Sequence, residues 1–295
     1  MIGHLIDALR PLAAPIALSL QLVGVSSALG QPSNPSAPDA LETPRQHVSA
    51  RLIASHDAIT PGEPMLLGVF LDIEEGWHTY WDGKNDSGFP VSVNLHLPEG
   101  FKAEPMLWPA PEREVLPGEI LDHVYTREVT LVIPITPPSS LEPGQRVRLS
   151  ADLEWLVCDK DGCIPESAEV ELELPVARAG EARRASREAR LIKLAHARIP
   201  KPLTPETRGV ELAWEVGALV VRADRASEIL FYPKSECPDL IDPIRGALAH
   251  GERLTLSFKP DDDRGTVSGV IEVKLANQRY PRLYEIKIAR PDTGG

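Results

Sequence analysis

The stretch Trp155-Leu156-Val157-Cys158-Asp159-Lys160-Asp161-Gly162-Cys163-Ile164-Pro165 decides the fold. Two of the chain's three cysteines stand in it, on either side of a turn-forming Asp-Lys-Asp-Gly. Both flanks alternate. Val147, Leu149, Ala151, Leu153, Trp155 and Val157 interleave with Arg146, Arg148, Ser150, Asp152 and Glu154, while Val170, Leu172 and Leu174 interleave with Glu169, Glu171 and Glu173. Period-two alternation around a glycine-containing turn predicts a β-hairpin.

A loop of residues 159 to 162 sets the register. Cys158 then opposes Cys163, and Val157, Leu153, Ala151, Leu149 and Val147 oppose Ile164, Ala168, Val170, Leu172 and Leu174. These apolar pairs share one face, which a slip of one residue would destroy. The other face sets Arg148 opposite Glu173, which is favourable, and Asp152 opposite Glu169, which is not. Both cysteines belong to this polar face. They are predicted to point away from the core, side by side, with Cα atoms roughly 4.5–5.5 Å apart, a span that a disulfide accepts. Closing so short a loop adds only about 2 kcal/mol in the chain-entropy view, and an outward bond is open to another thiol. The residues favour a redox pair over a structural staple.

Outward from the hairpin, the chain has 295 residues, enough for two domains, and 42% of them are hydrophobic, enough for packed cores. A net charge of −12 argues against nucleic acid or an anionic membrane as partner. Residues 1–30 read as a secretory signal, with Arg10 before an apolar run from Leu12 to Val25 and a small-x-small site at Ala28-Leu29-Gly30. Export to an oxidising compartment lets a cysteine pair persist as a disulfide. Residues 31–45, rich in Pro and Ser, read as a disordered lead-in.

Strands are predicted at 48–54, 65–71, 91–97 and 129–135, with turns at Pro61-Gly62, Pro98-Glu99-Gly100 and Pro143-Gly144. Short strands at this spacing make residues 46–176 an all-β sandwich. Residues 177–208 read as a helix and linker; between 177 and 198 seven bases meet two acids, and Leu191, Ile192, Leu194 and Ala195 form a helical face. Strand patterns return at 210–216, 219–223, 228–232, 253–258, 267–275 and 284–288, giving a second, smaller sandwich over 209–290. Cys237 has no nearby partner and reads as a free thiol.

Two stretches stand out from plain scaffold. Gly76-Trp77-His78-Thr79-Tyr80-Trp81 crowds three aromatics and a histidine together, and core packing accounts for at least two of the aromatics. Trp108-Pro109-Ala110-Pro111-Glu112-Arg113 reads as a rigid connection. His78 and His123 lack ligand-spaced partners, so no metal site is predicted, and no cofactor motif is present.

Several segments together carry a family resemblance. They are Gly76 to Trp81, Asp86-Ser87-Gly88-Phe89-Pro90, Leu97-Pro98-Glu99-Gly100-Phe101, Trp108-Pro109-Ala110-Pro111, Trp155 to Cys158, and Cys163-Ile164-Pro165-Glu166. The set resembles the periplasmic N-terminal domain of the DsbD thiol–disulfide interchange family, nearest its ScsB (suppressor of copper sensitivity) branch. The chain ends at Gly295 without that family's membrane and C-terminal thioredoxin domains. The resemblance implies immunoglobulin-like sandwiches and a redox pair at Cys158 and Cys163. Electrons would come from a membrane-embedded donor of the DsbD type and go to periplasmic thioredoxin-fold proteins, with no cofactor. Such relays serve cytochrome maturation, disulfide isomerisation or copper tolerance. The family's cap loop matches loosely at Trp108, Pro109, Pro111 and Glu112, with Tyr80 counted among the partner-facing residues. Asp159, Asp161, Glu154 and Glu166 are expected around the pair, and negative neighbours disfavour a thiolate. The alternative reading is a non-catalytic exported binding or scaffold protein with a structural disulfide, tied to copper tolerance.

Overall fold

Alternating side chains become paired strands almost wherever the pattern is strict. The structure, a computed structural model, describes residues 45–178 and 181–291. The expected signal and nearly all of the lead-in lie outside them. In chain order the strands are β1 (Val48–Ala54), β2 (Met65–Ile73), β3 (Thr79–Tyr80), β4 (Ser92–His96), β5 (Lys102–Ala103), β6 (Glu112–Leu116), β7 (Ile120–Tyr125), β8 (Glu128–Thr136), β9 (Arg146–Cys158) and β10 (Cys163–Pro175). After the helix α1 (Ala189–His196) come β11 (Lys201–Pro202), β12 (Val210–Glu215), β13 (Ala218–Ala223), β14 (Ala226–Pro233), β15 (Leu248–His250), β16 (Arg253–Leu256), β17 (Thr266–Leu275) and β18 (Arg282–Ala289). The fold class is all-β, as expected. The helix is shorter than the predicted segment, because 181–188 runs as irregular chain and only Ile192 and Ala195 of α1 are buried.

The hairpin of β9 and β10 takes the predicted register over its whole length, from Cys163 opposite Cys158 to Pro175 opposite Arg146. The residues Val147, Leu149, Ala151, Leu153, Trp155 and Val157 of β9 are all buried, packed against the sheet β1-β2-β8-β5. On the other face Arg148 bonds Glu171 and Arg146 bonds Glu173, one step diagonal to the expected pairing. These pairs are exposed and contribute little. The unfavourable Asp152 is answered from β4, whose His96 Nε2 lies 2.7 Å from its Oδ2.

The C-terminal half forms a five-stranded sheet, β11-β18-β17-β14-β15, and a three-stranded sheet, β12-β13-β16, around a second core. Strand β14 is covered on both sides. Ile229 and Phe231 enter that second core, while Leu230 and Tyr232 join the core of the first half, as does Val270 of β17. Cys237 is free and buried in the second core, and burial pushes its thiol up to about 11, so it is inert at neutral pH. Among the described residues no helix is long and apolar enough to cross a membrane.

Candidate redox site

Cys158 and Cys163 are bonded to each other at the hairpin tip, with Cα atoms 4.1 Å apart. Asp159 shapes the turn: its Oδ1 accepts the N–H groups of Asp161 (2.8 Å) and Gly162 (3.0 Å). Those bonds, the Asp161 one first, hold its carboxyl below the ordinary carboxylate range.

The two sulfurs are not equivalent, which corrects the expectation that both face outward. Cys163 is exposed, but Cys158 is only 2% exposed. The backbone of His78 exchanges both its hydrogen bonds with Cys158 (2.9 and 3.0 Å), so the chain entering β3 extends the hairpin's sheet. A small sheet, β3-β7-β6, then covers the tip, and Tyr80, Val124 and Leu156 close over the Cys158 sulfur.

Tyr80 is fully buried, and its hydroxyl donates to Cys158 Sγ (2.9 Å) while standing 3.9 Å from Cys163 Sγ. The same hydroxyl lies 2.9 Å from Ser87 Oγ and 3.3 Å from His78 Nε2. Ser87 Oγ gives its own proton to buried Asp122 Oδ2 (2.6 Å), whose Oδ1 accepts the N–H groups of Asp86 (2.9 Å) and Ser87 (3.1 Å). Ser87 Oγ is therefore left as an acceptor for Tyr80. The single Tyr80 proton has the Cys158 sulfur, the Ser87 hydroxyl oxygen and, in the tautomer that leaves it bare, His78 Nε2 within reach. On the far side of His78, Nδ1 faces Glu114 Oε2 at 3.5 Å. Burial raises the Tyr80 pKa above its ordinary value; the Ser87 bond pulls the other way, and Asp122 and Glu114 add to the rise. The phenol therefore stays protonated at neutral pH and remains a donor. Gly88 lies against its ring, where a Cβ would stand 2.1 Å from the ring carbons.

Residues 49–175 match the family model described as "Thiol:disulfide interchange protein DsbD, N-terminal". They are a DsbD N-terminal domain. Among solved structures, the N-terminal periplasmic domain of ScsB from Proteus mirabilis superposes with a TM-score of 0.52 at 17% identity, covering 85% of this chain and 97% of that one. This match establishes likeness of fold. The major pilin subunit BcpA of Bacillus cereus (its D312A form) matches at a TM-score of 0.28 and 9% identity, covering 82% of this chain and 65% of that one. The E. coli chaperone DraB matches at 0.24 and 10%, covering 81% and 97%. Scores that low carry no argument. No curated protein matches the chain in sequence.

Within this DsbD N-terminal domain, Cys158, Cys163 and Tyr80 of the expected site residues meet. Trp108, Pro109, Pro111 and Glu112 make their contacts elsewhere. Trp108 packs on the main core, the Pro109 carbonyl accepts the Tyr125 hydroxyl (2.6 Å), Pro111 is buried, and Pro109 and Glu112 border a groove with Leu191, Ala195 and Arg198. What packs over Cys158 is Tyr80 with Val124 of β7, from the strand pair that follows this loop; around them Asp122 holds Ser87 and Glu114 faces His78. The signal for β7 was present in the alternation of Leu121, His123 and Tyr125 with Asp122 and Val124 beyond a Pro117-Gly118 turn. Among the described residues no group of His, Cys, Asp or Glu is arranged to hold a metal ion.

His123 marks the other face of β7. Its Nδ1 donates to the Lys84 carbonyl (2.6 Å), and its ring stands edge-on to Trp81 and Tyr232. Burial holds its pKa below the ordinary 6.5, against the pull of the Lys84 carbonyl and with help from Arg113. The folded chain keeps this imidazole neutral, while the unfolded chain lets it charge. Its contribution to stability is therefore complete above the ordinary value and lost as pH falls below it. The expected result is a urea midpoint that falls below about pH 6.5, with a slope up to about 1.4 kcal/mol per pH unit from this group. His56, also lowered by burial, adds in the same sense. A His123→Gln chain should lose part of that slope; equal slopes in the two would remove His123 from the account.

Proposed function

We propose that the chain is a periplasmic thiol–disulfide exchange module, passing electron pairs from a membrane-embedded reductant to periplasmic thioredoxin-fold proteins through Cys158 and Cys163. One observation carries the reading: one cysteine of the disulfide is exposed and the other is buried, its sulfur against a hydroxyl donor. The DsbD N-terminal match and the ScsB-like fold support the chemistry and the compartment.

The incoming thiolate attacks Cys163 Sγ, the accessible sulfur. A bond forms between the partner's sulfur and Cys163, the Cys158–Cys163 bond breaks, and its electron pair leaves on Cys158. A thiolate is a far better acceptor than a disulfide sulfur, so the hydrogen bond that Tyr80 already gives Cys158 strengthens as the charge appears. The reductant's second thiol then displaces Cys163 and closes the reductant's own disulfide. Two electrons and two protons have moved to the cysteine pair. Reduced Cys163 next attacks an oxidised thioredoxin-fold partner, and Cys158 resolves that mixed disulfide. Glu114, Asp122, Asp159 and Asp161 disfavour free thiolate, which makes the reduced pair slow except with a docked partner.

The test is stopped-flow reduction of the oxidised protein by a thioredoxin-fold dithiol protein and, at equal thiol concentration, by dithiothreitol. The protein reductant should be much the faster; a rate no greater than that of dithiothreitol would sink the proposal. In the same assay Tyr80→Phe should slow exchange about 10- to 100-fold, the value of one hydrogen bond to a charged group. An unchanged rate would leave Tyr80 a packing residue only.

A further inference from the structure

The sheet that shields Cys158 has two faces, and the second is held by the C-terminal half of the chain. Along β7, Asp122 and Val124 turn toward Tyr80 and the disulfide, whereas His123 turns toward Trp81 and Tyr232, with ring centroids 6.0 and 5.4 Å away. On β6, Glu114 faces His78, and its neighbour Arg113 donates to the Ile244 carbonyl.

The loop from Asp82 to Pro90 repeats this arrangement along its length. At one end Gly88 lies on the Tyr80 ring. At the other, the Lys84 N–H donates to the Pro233 carbonyl (3.0 Å), and a Cβ on Gly83 would stand 2.7 Å from that same oxygen. Two ion pairs flank the contact, Lys84 with Asp239 and Lys234 with Asp82 (2.9 Å), and the Lys234 ammonium also sits 4.6 Å from the Trp81 ring centroid. Such a three-way contact of charge, backbone and aromatic ring leaves the loop little freedom to lift.

We propose that the C-terminal sandwich is a positioning element for the disulfide: Tyr232, Lys234 and Asp239 hold the Asp82–Pro90 loop and the β6–β7 sheet down over Cys158, so that thiols reach the bond only from the Cys163 side. The inference rests on reading the hairpin as an exchange site. It gives the second sandwich a specificity role without making it touch the sulfurs.

The test compares reduction of the oxidised protein by glutathione and by a thioredoxin-fold dithiol protein in four chains: the parent, Asp82→Lys, Lys234→Glu, and the double exchange of both. Each single charge reversal should speed reduction by glutathione about tenfold by raising the open population, and the double exchange should return it to within about threefold of the parent. A fifth chain, Lys84→Ala/Arg113→Ala/Lys234→Ala, removes the three side-chain polar ties, leaving the Lys84 N–H to Pro233 carbonyl bond, and should be at least as fast as the single reversals. Alkylation of Cys237 is the internal control, since that thiol lies in the second core and reacts only if the core opens. Faster glutathione reduction with Cys237 still protected supports local positioning. Rates within about twofold of the parent in the fifth chain, or acceleration only where Cys237 also reacts, would overturn it. The dithiol arm keeps the two ideas separate. A parent chain reduced no faster by the protein than by glutathione would count against exchange, whatever the charge variants do.

Discussion

Cys158→Ser should trap a thioredoxin-fold partner as a stable mixed disulfide, and Cys163→Ser should not. The asymmetry follows from burial. In Cys158→Ser the remaining thiol is the exposed Cys163, which can attack a partner disulfide but has no neighbour to resolve the adduct. In Cys163→Ser the remaining thiol lies beneath Tyr80, Val124 and Leu156, out of reach of a docked sulfur. The double mutant should abolish electron transfer altogether yet fold, because the apolar pairs of the hairpin do not involve the cysteines. Its stability loss should not exceed about 2 kcal/mol, the chain-entropy value of so short a loop. Non-reducing electrophoresis of periplasmic extracts, mass mapping of the adduct and thermal melts together decide the matter. Equal adducts from both single mutants would cancel the assignment of Cys163 as the attacked sulfur. No adduct from either, with collapse of the double mutant, would make the bond a staple.

The hairpin was legible because a two-residue period and one turn length fix every pair in it, and every pair falls where the alternation puts it. The shield was not legible from the hairpin. Strands β3, β6 and β7 are short, and they lie about 35 to 80 residues from the sulfur that they cover, a juxtaposition to which local periodicity is blind. For the same reason Cys158 read as outward: the polar face of β9 is solvated at Arg148 and Asp152 but roofed at Leu156 and Cys158. The aromatic cluster read correctly as largely core, since Tyr80 and Trp81 are buried, while Trp77 stacks on His47 with ring centroids 3.7 Å apart. What composition could not assign was Tyr80's hydroxyl, whose partners come from Ser87, His78 and Cys158 at once.

Glu166→Ala should cost more stability than any other single surface-to-core change in the hairpin, about 3–5 kcal/mol. By the register Glu166 opposes Trp155, which places it on the core face rather than among the acids around the cysteines. It is 9% exposed, an acid in a slot that alternation reserves for an apolar residue. Three donors account for it. Oε1 accepts the His47 N–H (2.7 Å), and Oε2 accepts the Val48 N–H (3.2 Å) and the Trp155 indole N–H (3.1 Å). The carboxylate thus fastens the start of β1 to the hairpin by bonds that are strong because one partner is charged. Alanine would leave two buried donors, Val48 N–H and the Trp155 indole, and the half-buried His47 N–H without an acceptor, and each buried orphan costs about 1–3 kcal/mol, less what relaxation and entering water recover. Glutamine keeps one carbonyl oxygen, so it should fall between the two. The checks are a melting temperature lowered by roughly 10 °C in the alanine variant and faster hydrogen exchange confined to the His47 and Val48 amides. Pairing the change with Trp155→Phe should give less than the sum of the two losses, because the indole donor has already gone. A loss under about 1 kcal/mol, or full additivity, would mean that water replaces the carboxylate and that the tie to β1 is incidental.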